Sequence, residues 1–168
     1  MKKIYIIGLG VLLFGCMKQE SVVVPMYLES ANQIGTVTIY PVHNGLEFLV
    51  DLNNLSAGDH GFHIHEIGNC SHKIVDGKEV LFGAAGSHYE PKKTNHHMGP
   101  DQEGHKGDLP YLTANQKGVI QALIYKKGLT LDEIKGRSLV IHQNGDNYAD
   151  TPKPLGGGGE RIACGVIR

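Results

Sequence analysis

The chain has 168 residues, with 16 Lys and Arg against 17 Asp and Glu, 23 glycines, ten histidines, three cysteines and no tryptophan. That length suits one domain with a real core and is short for two. A formal net charge of −1 is too mild to recruit nucleic acid or an anionic membrane surface, so neither is expected as a partner.

The first stretch reads as a targeting segment. Lys2 and Lys3 give a basic start, and Ile4 to Phe14 is an apolar run whose length suits a signal region rather than a membrane span. Leu13-Phe14-Gly15-Cys16 resembles a bacterial lipobox cut before the cysteine. Residues 1–15 are therefore expected to be a lipoprotein signal peptide, residues 16–21 a lipidated N-terminus and tether, and residues 22–168 the folded domain. A plain signal peptide with an incidental Cys16 is the alternative. Lipidation would place the protein in the periplasm or cell envelope, touching membrane only through the anchor on Cys16. Cleavage removes two lysines and no acid, leaving 14 bases against 17 acids and a net charge of −3. Attraction of an anionic substrate would then need a local field.

Strand signals dominate the remainder of the chain. Val22–Leu28, Gly35–Tyr40, Leu46–Leu52, Gly61–Glu66, Gly118–Tyr125, Arg137–His142 and Ala163–Ile167 are short, rich in Val and Ile, and separated by Gly, Asn or Asp. Helical periodicity is nearly absent, apart from a brief turn at Thr130–Lys135 where Thr130 can cap with Glu133. An all-β antiparallel sandwich or barrel is the expectation. Two stretches, Gly68–Leu112 and Gln143–Glu160, read as long loops, and such loops in a compact domain are usually functional. With Cys16 taken by the lipobox, Cys70 and Cys164 would pair in an oxidising compartment, the alternative being two separate buried thiols. A link spanning so long a loop contributes roughly 4–5 kcal/mol in the chain-entropy model, less any strain.

The loops and strand ends carry a constellation of metal-ligating side chains. His63 and His65 form an H-x-H pair whose rings share one strand face while Phe62 and Ile64 point inward. The first loop then supplies His88, His97, His105 and Asp108, three nitrogens and a carboxylate, the number a closed tetrahedral zinc site needs. His142 ends a strand; beside His63 and His65 it would favour copper, which suits nitrogen ligands. If His88 offers one ring nitrogen to each ion, every ligand has a place. His96 stands next to His97 as a rival, with His97 favoured by its H-x-G-P context. His43 and His72 read as surface residues and His60 as a structural hydrogen-bonding one.

The segments GFHIHEIGNC, GSHYEP, GHKGDLP, LVIHQNGDNY and PLGGGGERIACGVI resemble, in order, the signature segments of bacterial periplasmic copper–zinc superoxide dismutases. The resemblance covers most of residues 22–168. It implies a Greek-key β-barrel or immunoglobulin-like sandwich, an architecture of which this family is itself a standard example. It implies one copper per subunit on His63, His65, His88 and His142, and one zinc on His88, His97, His105 and Asp108. Asp146 matches the carboxylate that links histidines of the two sites, Arg161 the arginine over the copper channel, and Cys70 with Cys164 the family's disulfide. The implied reaction is dismutation of superoxide, with His88 and Arg161 in catalytic roles, in a family that occurs both as monomers and as homodimers. A lipoprotein that only stores copper and zinc is the rival reading; it would need the ligands but not Arg161.

Overall fold

The computed structural model describes residues 20–168; the expected leader and the expected lipid-bearing Cys16 lie outside the described residues. Eleven strands are present among the described residues: β1 (Val22–Leu28), β2 (Gln33–Val42), β3 (Gly45–Leu52), β4 (Gly58–His60), β5 (Phe62–His65), β6 (Lys73–Val75), β7 (Lys78–Val80), β8 (Leu112–Ala114), β9 (Ile120–Lys127), β10 (Ser138–His142) and β11 (Arg161–Val166). Seven of them form one antiparallel sheet in the order β5-β10-β11-β1-β2-β3-β9, so the chain's last strand lies beside its first, and β9 returns beside β3. The short strands β4 and β8 pair with one another, as do β6 and β7. The expected all-β antiparallel architecture is the one observed.

Alternation builds the core. Along β1, Val22, Val24 and Met26 are buried between outward-facing Val23, Pro25 and Tyr27. Leu46, Phe48, Val50 and Leu52 do the same on β3. Their rings and branches join Ile34, Val37, Ile39, Phe62, Ile64, Leu139 and Ile141 in one cluster, with Phe48 and Phe62 edge to face at 6.4 Å. The β1–β2 ladder slips by one residue at Met26/Tyr27, and the partner there is Gly35 at φ 135°. A Cβ at Gly35 would fall 2.1 Å from the Asp51 carbonyl, so only glycine fits.

β5 and β10 are buried on both faces. Phe62, Ile64, Leu139 and Ile141 face the main core. On the opposite face Val140 and Cys164 pack with Phe82 and Ala85 in a second cluster that includes Cys70 and Leu81. Cys70 and Cys164 are joined by a disulfide, their Cα atoms 5.8 Å apart. The expected turn is a four-residue helix, α1 (Leu131–Ile134), and Thr130 and Glu133 form the reciprocal capping box. The long loop regions contain more structure than their sequence suggests: Gly68–Leu112 includes the β6–β7 hairpin and a single 3-10 turn at Gly83–Ala85. The loop after that turn runs antiparallel along β5, with bridges His65↔His88 and His63↔Asp108.

Candidate metal centre

The site is assembled by pinning a histidine-bearing loop against a histidine-bearing strand. Tyr89 N–H donates to the Ile64 carbonyl at 2.8 Å, Ile64 N–H to Gly107 at 2.8 Å, and Gly107 N–H to Tyr89 at 2.8 Å. Gly107 permits this approach, since a Cβ there would sit 2.3 Å from the Ile64 oxygen. The ladder between β10 and β11 shifts register between Ile141 and His142, and His142 lies opposite Arg161. Such a bulge re-aims a side chain, here an imidazole at the strand end.

Two overlapping groups of ligand atoms result. One contains His63, His65, His88 and His142; the other His88, His97, His105 and Asp108. Within each group the ligand atoms lie within 4.8 Å of one another, and every member is buried. Asp146, with His63 and His97, forms a third buried group between them. The Nδ1 of His88 lies 3.0 Å from Asp108 Oδ1 and 3.4 Å from His105 Nδ1, which leaves Nε2 for the other group. Its ring stacks on His63 at 4.0 Å.

The donor set fits metal ions. A tetrahedron with arms of about 2.0–2.1 Å has edges of about 3.3–3.4 Å. The nitrogens of His88 and His105 are 3.4 Å apart and those of His97 and His105 3.5 Å, while Asp108 Oδ1 lies 3.6 Å from His105 Nδ1. In the other group the Nε2 atoms of His65 and His142 are 3.4 Å apart. Two buried atoms lack a well-aligned hydrogen bond, His63 Nδ1 and Asp108 Oδ2, the latter facing His97 Nδ1 at 2.8 Å, and each belongs to one of the groups. Buried polar atoms are rarely left unpaired, and a cation would satisfy both.

Four of the nitrogens that face away from their groups are hydrogen-bonded. His63 Nε2 donates to Asp146 Oδ2 at 2.6 Å and His97 Nε2 to Asp146 Oδ1 at 2.8 Å. His65 Nδ1 donates to the Gly86 carbonyl at 2.9 Å, and His142 Nδ1 to that of Gly159 at 3.3 Å. His105 Nε2 faces Glu90 Oε2 at 3.7 Å, beyond direct hydrogen-bond reach. The four hydrogen bonds fix ring orientation and tautomer, which is how partners behind the ligands tune a metal site. Gly156 packs so closely behind Asp146 that a Cβ would fall 1.8 Å from Oδ1.

Electrostatics favour the ligating forms of His65, His88, His142 and Asp108, while His97 must release a proton to take up a metal. Burial and the neighbouring His63 push the His88 imidazole down to about 3. Burial, and then the adjacent histidines, hold His65 and His142 well below the usual histidine range. These three rings therefore stay neutral with a free lone pair at neutral pH. Burial lowers His97 too, but the carboxylates of Asp108 and Asp146 outweigh it and raise the ring to about 9. Burial would raise Asp108, but His105, His88 and His97 outweigh it and keep the carboxylate ionised far below its ordinary range.

Arg161 is half-buried and donates through Nη1 to the Phe82 carbonyl at 2.8 Å and through Nη2 to that of Gly86 at 2.6 Å. His97 is buried within the second group, whereas the His96 side chain is 68% exposed and faces Asp150 at 3.7 Å. His60 is buried, its ring nitrogens 2.9 Å from the Ser56 carbonyl and 2.8 Å from that of His142. His43 is exposed and His72 sits at the surface beside Glu79 at 3.3 Å. Sequence reasoning did not find Glu90, Phe82 or the Gly86 and Gly159 carbonyls. Glu90 had a weak signal, an acid two residues after a ligand; a backbone carbonyl has none.

The family model described as copper/zinc superoxide dismutase matches residues 33–167. A superoxide dismutase [Cu-Zn] of Brucella abortus is 46% identical over 172 residues, 99% of each chain. One of Escherichia coli K12 is 51% identical over 136 residues, covering 80% of this chain and 79% of the relative. Among solved structures, the Cu/Zn superoxide dismutase from Brucella abortus superposes with a TM-score of 0.86 at 48% identity, covering 89% of this chain and all of the other. The monomeric enzyme from Salmonella enterica gives 0.78 at 47% identity, again covering 89% of this chain and all of the other.

Proposed function

Because this chain belongs to the copper/zinc superoxide dismutase family, we propose that His63, His65, His88 and His142 hold its copper, and that His88, His97, His105 and Asp108 hold its zinc. The protein is an oxidoreductase that dismutates superoxide to dioxygen and hydrogen peroxide, with copper and zinc as cofactors. The observation that carries the residue assignment is the shared membership of His88 in both ligand groups. Copper, when bound, supplies the one-electron change by which one superoxide is oxidised and a second reduced; zinc has no accessible redox state and serves structure.

The chain's own residues do the rest. Strand-borne His63 and His65 present their nitrogens from a rigid backing, and Asp146 fixes His63 and His97 at once. Arg161 holds a permanent positive charge beside His142, where an incoming anion is drawn and oriented. A storage protein has no use for that arginine. Reconstitution with copper and zinc, followed by a superoxide-consumption assay with and without a copper chelator, tests the reading. Metal analysis of variants tests the ligand sets: His142→Ala should lose copper and keep zinc, and His105→Ala the reverse. Equal loss of both metals in both variants would overturn the division.

The export reading rests on Lys2, Lys3, the apolar run Ile4–Phe14 and Cys16, and is supported by the Cys70–Cys164 disulfide, a bond typical of oxidising compartments. The protein is accordingly assigned to the periplasm or cell envelope, with a lipid on Cys16. Metabolic labelling with a fatty acid should mark the wild type and leave Cys16→Ser unlabelled; label on both proteins would refute the anchor.

A further inference from the structure

Arg161 is aimed by backbone, and one of the two carbonyls that aim it belongs to an unusual residue. Phe82 lies in the left-handed region, φ 53° and ψ 25°, immediately before the 3-10 turn at Gly83–Ala85. Bulky residues seldom adopt this conformation, and where they do, the surroundings must hold them there. The Phe82 ring is 3% exposed and packs with Ala85, Val140 and Cys164, with Cys70 and Leu81 beside them. His72 covers it edge-on at 5.6 Å. The Phe82 carbonyl accepts from Arg161 Nη1 at 2.8 Å. The second carbonyl, that of Gly86, accepts from Arg161 Nη2 and also from His65 Nδ1 at 2.9 Å, so it is already fixed by a copper-group histidine. Gly86, at φ 78°, reaches its conformation without a side-chain penalty. Only residue 82 needs a buried ring to stay where it is.

We propose that Phe82 is the positioning residue for Arg161: its buried ring locks residue 82 in the left-handed conformation that points its carbonyl at the guanidinium. With Nη1 and Nη2 each tied to a carbonyl, the remaining guanidinium donors are left in one orientation beside His142. In an ordinary backbone conformation the carbonyl of residue 82 would turn away, and Arg161 would keep one tether instead of two. The inference rests on the reading that Arg161 guides the anion.

The test is a double-mutant cycle on the copper- and zinc-loaded protein, read by superoxide kcat/KM, its ionic-strength dependence, and azide affinity at the copper centre. Phe82→Gly leaves the left-handed conformation open but removes the ring that enforces it. It should weaken azide binding and lower kcat/KM measurably but by less than Arg161→Ala, which should cost at least about tenfold, the low end for focused fields in systems of which this family is itself an instance. Copper, zinc and the disulfide should be retained. Phe82→Leu, which keeps an apolar anchor, should keep most of both properties. The double variant should be no worse than Arg161→Ala alone. Wild-type azide affinity in Phe82→Gly, loss of its copper, or a double variant whose defect is the product of the two singles would each overturn the proposal. If Phe82→Gly does not fold, Phe82→Val decides: it stays apolar but resists the left-handed conformation, and unchanged azide affinity there would refute the idea. Unchanged kinetics in Arg161→Ala would instead remove the underlying reading of the arginine, a distinguishable failure.

Discussion

A single carboxylate does the most joining at the scale of residues. Asp146 meets His63 at 2.6 Å and His97 at 2.8 Å, one histidine from each ligand group, and its Oδ1 also accepts from the Tyr148 amide at 2.8 Å. Removing it frees two rings to rotate. Asp146→Ala is therefore expected to cut both copper and zinc affinity by about 10- to 100-fold, the usual cost of losing a partner behind a ligand; chelator competition measures it. Arg161→Ala, by contrast, should lower turnover and flatten its dependence on ionic strength while metal content stays full, as read by steady-state assays across salt. The side chains that ligate were legible in the sequence because imidazoles and a carboxylate are rare enough for their spacing to mean something. Their supports were not. His65 and His142 lean on the carbonyls of Gly86 and Gly159, and every residue has a carbonyl.

Among the elements, α1 shows how a short helix can brace a distant loop. Glu133 closes the capping box with Thr130 and also pairs with Lys106, which sits between the ligands His105 and Asp108. Burial would raise the Glu133 pKa, but Lys106 and then Thr130 outweigh it and hold the carboxyl below its ordinary 4.5. A depressed folded-state pKa stabilises the fold above the unfolded value, and that stability is lost as pH falls through the folded one. Glu133→Gln can still close the capping box but loses the charge that faces Lys106, and should thus cost about 0.2–1 kcal/mol near neutral pH, the range for a partly exposed ion pair. The difference from wild type should fade as pH falls below about 4.5 in denaturant titrations. The sequence placed β1 and the capped turn well because alternation and the Thr-x-x-Glu signature are local. It missed the β6–β7 hairpin because Lys73–Val75 and Lys78–Val80 are three-residue strands, exposed or nearly so, with no buried face to impose a period of two.

Over the whole molecule, stability is divided between a core that needs no metal and a loop system that does. β1, β2 and β3 bury their own apolar face, whereas residues 88–108 meet the rest largely through ligands and the backbone ties to β5. Metal removal should therefore raise amide exchange in residues 88–108 well before it does so in β1–β3, as mass-detected hydrogen exchange would show. Uniform protection across the apo protein would contradict this division. The disulfide ties the loop that carries Phe82 to β11, and Cys164→Ser should cost about 2–5 kcal/mol in thermal or denaturant unfolding.

β5 packs two incompatible chemistries into four residues, Phe62 and Ile64 on one side and His63 and His65 on the other, with nothing exposed on either. A slip of one position against β10 would plunge both imidazoles into oil and swing an aromatic ring toward the cations. Mispairing of this strand thus forfeits burial and ligation together, so ion capture doubles as a proofreading signal that β5 has paired with β10 in register.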